Sequence, residues 1–68
     1  MSLEYLLQGL SYPCTIEWYY GEIDDESYIG RRKYTFSEID DVINGFETIH
    51  IVKEFKRISS VIYAIAIV

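Results

Sequence analysis

Val61-Ile62-Tyr63-Ala64-Ile65-Ala66-Ile67-Val68 carries no charge and one polar side-chain atom, the Tyr63 hydroxyl, and its reading decides the fold. A short apolar run that follows a turn signal, here Ser59-Ser60, reads as a strand buried on both faces. It is far too short for a membrane-crossing helix, which needs ~20 apolar residues. Side chains alternate along a strand, so Val61, Tyr63, Ile65 and Ile67 face one way and Ile62, Ala64, Ala66 and Val68 the other. Whichever set a helix covers, the other stays apolar and calls for a second covering layer. A second copy or another protein is the expected source of that layer, with Tyr63, Ile65 and Ile67 as the expected oligomer interface.

Size supports the same expectation. The chain has 68 residues, enough for a single domain spanning 1–68. A domain this small buries only about 60% of the surface its unfolded chain exposes, and the usual supplements are disulfides, metals or oligomerisation. Cys14 is the single cysteine and His50 the single histidine, so neither an internal disulfide nor a four-ligand zinc site can form. No metal or cofactor is expected. A homodimer or higher oligomer is.

Half of the residues are hydrophobic and 16% aromatic, which marks a folding chain and not a disordered acidic tail. Eleven acids against six bases give a formal charge of −5, which favours solubility and opposes non-specific binding to nucleic acid or anionic membrane. The N-terminus shows no basic region followed by an apolar stretch, so no signal peptide is expected. A lone free cysteine without such a signal fits a reducing, cytoplasmic setting.

Ser2 is placed to cap a short helix in which Leu3, Leu6, Leu7 and Leu10 share a face, with Gly9 weakening its end and Pro13 stopping it. From Cys14 to Tyr20 apolar and polar residues alternate as in a half-buried strand. Gly21 to Ser27 is acidic and reads as a hairpin loop, and Tyr28 to Tyr34 as the returning strand. Arg31-Arg32-Lys33 puts charge on both faces of that strand, as edge strands do to resist aggregation. Thr35-Phe36-Ser37-Glu38 is a capping box that starts the main helix, expected to bury Phe36, Ile39, Val42 and Ile43 and to stop at Asn44-Gly45-Phe46. Residues 47–58 fit a strand through the β-branched Thr48-Ile49-His50-Ile51-Val52, with a helix as the alternative. The expected fold is α+β and two-layered, a four-stranded antiparallel sheet with one main helix and a short N-terminal one, in the order α-β-β-α-β-β.

Chemistry-bearing patterns are sparse. Cys14 and His50 can be written as a nucleophile and base, but a lone Cys beside Trp18 reads more simply as a small buried hydrophobe. Asp40 and Asp41 are adjacent on a helix and do not face each other. Asp41 with Glu54-Phe55-Lys56 imitates the acid plus Glu-x-Lys set of some metal-dependent nucleases, a pattern that arises readily by chance. The acidic loop lacks the alternate acids and central Gly of a calcium loop, and Gly9, Gly21, Gly30 and Gly45 are isolated, so no phosphate-cradling loop exists. The chain is expected not to be an enzyme.

Binding is left. Glu22, Asp24, Asp25 and Glu26, with Tyr19, Tyr20 and Trp18 as aromatic anchors, form the expected partner-binding set. Carboxylates displayed on a small scaffold can imitate phosphates and occupy the basic groove of a nucleic-acid-handling protein. The most specific expectation is therefore an acidic inhibitor or modulator, a DNA mimic of the type a phage directs at its host. Two alternatives belong to other classes. One is a structural homo-oligomeric subunit of a larger assembly; the other is a nucleic-acid-binding module using Arg31, Arg32 and Lys33, joined by Lys53, Lys56 and Arg57 across the sheet.

Overall fold

Ser2 accepts the Tyr5 amide N–H on its hydroxyl at 3.2 Å and so opens helix α1, Leu3–Gly9, in a computed structural model that describes residues 1–45 and 50–68. Leu3, Leu6 and Leu7 are the buried stripe of α1. Strand β1, Cys14–Tyr20, follows, burying Cys14, Ile16 and Trp18 alternately. Gly21, at φ +89°, turns the chain out of β1 in a conformation that costs glycine nothing. A 3-10 turn, Asp25–Ser27, leads into strand β2, Tyr28–Tyr34.

At Thr35 the expected start signal is present. The Glu38 carboxylate accepts the Thr35 amide at 3.0 Å and its hydroxyl at 2.8 Å. The first turn, Phe36–Glu38, is 3-10 and runs into helix α2, Ile39–Gly45. Ile39 is buried and Val42 and Ile43 pack on the core, but Phe36 lies outside, edge-on to Tyr12 with ring centroids 5.8 Å apart. The expected helix stop at Phe46 and the start of the next strand at Thr48 and Ile49 lie outside the described residues. Strands β3, Val52–Arg57, and β4, Ile62–Ile67, complete the fold, so the strand reading holds over this part of 47–58. The element order is the expected one with two 3-10 turns added.

The sheet is mixed and not antiparallel throughout. Its order is β2-β1-β4-β3. Two antiparallel hairpins, β1–β2 and β3–β4, lie side by side, and their inner strands β1 and β4 run parallel. The route explains this: β2 and β3 occupy opposite edges of the sheet, so the chain between them passes from one edge to the other. The turn into β4 then brings the last strand back beside β1 in the same direction. The most apolar strand thus takes a central position, where it has neighbours on both sides.

Both helices lie on one face. The core joins Leu3, Leu6 and Leu7 of α1 and Ile39 of α2 to Cys14, Ile16, Trp18, Tyr34, Val52, Tyr63, Ile65 and Ile67 of the sheet. Tyr63, Ile65 and Ile67, expected to meet another copy, are 5%, 0% and 3% exposed and are covered by the chain's own helices. On the other face β4 shows only Ile62, Ala64 and Ala66. Both alanines are fully buried without a second layer, because the register sets Ala64 between Glu17 and Lys56, and Ala66 between Tyr19 and Glu54. Longer neighbours shield the methyl groups. The apolar second face inferred from the sequence is therefore two alanines and an isoleucine among polar side chains.

Candidate interaction surface

Gly21 to Ser27 is an acidic turn fastened at several points. The Gly21 amide donates to the Ile67 carbonyl at 2.8 Å, tying the start of the turn to β4. The Asp24 side chain accepts the Ser27 amide at 2.8 Å and so caps the 3-10 turn. That bond, with a further contribution from the Ser27 hydroxyl, holds the Asp24 carboxyl below its ordinary value. The Ile23 amide donates across to Glu54 Oε1 of β3 at 3.2 Å. Glu22, Asp24, Asp25 and Glu26 are all exposed. A recess of about 500 Å³ lies between the turn and the start of β3, lined by Gly21 to Asp24 with Lys53 and Glu54.

Tyr20 is 63% exposed beside the turn. Tyr19 packs edge-on against Tyr28, centroids 5.5 Å apart, and its hydroxyl donates to Glu17 at 3.4 Å. Desolvation, with the Glu17 charge second, pushes the Tyr19 phenol up, so it stays a neutral donor. Trp18 does not belong with them. It is 5% exposed, packs edge-on to Tyr34 at 6.5 Å, and its indole N–H donates to the Tyr34 hydroxyl at 3.0 Å. A buried indole needs such a partner, and here it serves the core. Two contributors escaped the sequence reading: Tyr28, across the sheet from Tyr19, and Glu54, distant in sequence and close to the turn only because β4 lies between β1 and β3.

The open sheet face carries the basic residues in rows. Arg31, Glu17, Ala64 and Lys56 form one row across the four strands, and Lys33, Thr15 and Ile62 part of the next. Arg31 lies 4.0 Å from Glu17. Arg32 alternates to the helix side, its guanidinium 5.8 Å from the Tyr34 ring centre. The consecutive bases are thus split between faces.

Under β2 the helix side of the sheet is open. A cleft of about 430 Å³ separates the strand from α2, lined by Trp18, Ile29, Arg32, Tyr34, Glu38, Asp41, Val42 and Gly45. Its floor is aromatic and aliphatic; Arg32, Glu38 and Asp41 put charge at its rim.

The catalytic combinations are not assembled. Cys14 is buried at the start of β1, where the next amide bonds Val61; burial pushes its thiol up. His50 Nδ1 lies 3.3 Å from the Val68 carbonyl, past the other end of β4, about 20 Å away at ~3.3 Å per strand residue. Asp41 lies on the helix side near β2, whereas Glu54 and Lys56 occupy the open face at the β3 edge. Among the described residues no group of three His, Cys, Asp or Glu side chains converges as metal ligands do, and no helix is long and apolar enough to cross a membrane. No family model, curated protein or solved structure matches the chain.

Proposed function

We propose that the protein acts by binding another protein through its acidic turn, and not by catalysis. The partner is a nucleic-acid-handling protein whose basic groove the carboxylates occupy, which makes the chain an inhibitor or modulator. One observation carries this reading: Glu22, Asp25 and Glu26 stand exposed on a turn whose backbone is fastened by Asp24, Glu54 and Ile67. A turn already held in place loses little conformational freedom on docking. Its clustered negative charge steers encounter with a positive surface. Tyr20 and Tyr28, 63% and 45% exposed at the same end, supply the amphipathic contact area that interfaces favour.

The test neutralises Glu22, Asp25 and Glu26, whose side chains make none of the bonds that tie the turn to Ser27, Glu54 and Ile67. Wild type and a Glu22→Gln/Asp25→Asn/Glu26→Gln variant are immobilised and compared in capturing proteins from a lysate rich in DNA- and RNA-binding enzymes. The variant should keep its stability within about 0.5 kcal/mol, as surface substitutions do. It should lose the proteins that wild type retains at low salt. Equal retention by both would remove the turn from the function.

A further inference from the structure

We propose that the β2 edge is a second binding site, one that adds an extended acidic segment of another protein to the sheet as a fifth strand. This site is separate from the acidic turn.

Among the described residues β2 pairs with β1 alone and forms an edge of the sheet. Such a strand offers its outer backbone amides and carbonyls to an incoming chain. What distinguishes this edge is the cleft beside it. The cleft of about 430 Å³ lies directly under β2, with Trp18, Tyr34, Ile29 and Val42 as apolar lining. Two local features keep it open. Gly30 stands opposite Trp18, and a side chain there would meet nothing within 4 Å. Ile29 has no partner in β1, because the register passes from Trp18–Gly30 to Tyr19–Tyr28; it is left 58% exposed at the mouth of the cleft. Strand addition needs both elements present here: a free backbone edge and a pocket for every second side chain.

Charge selects the occupant. Arg31 and Lys33 are exposed on the open face of β2, and an added strand would set its own open-face residues beside them. Opposite charges on adjacent strands attract and like charges repel. Acids are therefore favoured at these positions. The alternate side chains point to the cleft, where Arg32 faces Glu38 and Asp41; neither sign of charge gains there, and an apolar side chain does. The pattern that fits is acid alternating with an apolar residue. A second copy of this chain fits poorly: β2 against β2 sets bases on bases, and β3, the other edge, carries Lys53, Lys56 and Arg57 against one acid, Glu54.

Trp18, the single tryptophan, lines the cleft and reports on its occupancy. The probe is an end-blocked peptide alternating Glu with Leu, titrated while Trp18 emission is followed. A saturable change in emission is expected. The Lys–Leu counterpart and a Glu–Leu peptide N-methylated at alternate residues should give none. An Arg31→Gln/Lys33→Gln variant should weaken the response at least tenfold, and Gly30→Leu, which fills the cleft, should abolish it; melting curves confirm that both variants fold. No response to the Glu–Leu peptide, or an equal response to the Lys–Leu or N-methylated peptide, would overturn the proposal. So would an oligothymidylate that changes Trp18 emission at lower concentration than the peptide, since the bases would then serve nucleic acid.

Discussion

Glu38 accepts both the amide and the hydroxyl of Thr35, and these bonds, largest among their causes, hold its carboxyl below the ordinary 4.5. A folded-state value below the unfolded one means stability that is present above pH 4.5 and lost as pH falls through the lowered value. Asp24, held below 3.8 by Ser27, acts in the same direction over a slightly lower range. Thermal melts of wild type should therefore fall between pH 5 and pH 3, and Glu38→Gln should flatten that fall while lowering stability at pH 7; an unchanged slope would mean that the cap carries no proton linkage. Trp18 teaches a different lesson. Removing its N–H with Trp18→Phe leaves the buried Tyr34 hydroxyl without its donor, and a loss of about 1–3 kcal/mol in chemical denaturation is expected. Alternation with Cys14 and Ile16 had already placed Trp18 on the core side of β1. The preference of aromatics for interfaces pulled the other way, and packing won, because the helices cover that face.

The local start signals were legible element by element: Ser2 for α1, Thr35 and Glu38 for α2, and the alternation from Cys14 for β1. Each depends on bonds within a few residues. The pairing of β1 with β4 was not legible, because parallel neighbours share no turn and leave no short-range trace in the chain. Reading hairpins alone gives two antiparallel pairs and says nothing of how they join. The same gap produced the expected oligomer interface. Of Val61 to Val68 the strand takes Ile62–Ile67, hidden on both faces from Tyr63 on, while Val61 and Val68 are exposed; one cover is a pair of helices and the other is the side chains beside Ala64 and Ala66. Ile65→Ala should therefore cost about 2–5 kcal/mol, as core truncations do, and the loss should be the same at tenfold different protein concentrations. A concentration-dependent loss would return Ile65 to an interface between copies.

Across the whole molecule the formal charge of −5 hides a division. Carboxylates gather on the turn after β1, while Arg31, Lys33 and Lys56 lie on the open sheet face. The sequence alone placed the acids in one loop and the consecutive bases on one strand. It did not show that Arg32 turns to the helix side, that Glu54 fastens the turn, or that a cleft runs under β2, since each depends on strand order. Salt should weaken partner capture by the acidic end, because exposed charges are screened beyond ~8 Å at physiological ionic strength. The central claim, that the turn stands in for nucleic acid, is tested most directly by titrating duplex DNA into the complex between this protein and a captured partner. The protein should be displaced as the DNA saturates the partner's groove; a partner that binds DNA and the protein together, with neither weakening the other, would contradict the claim.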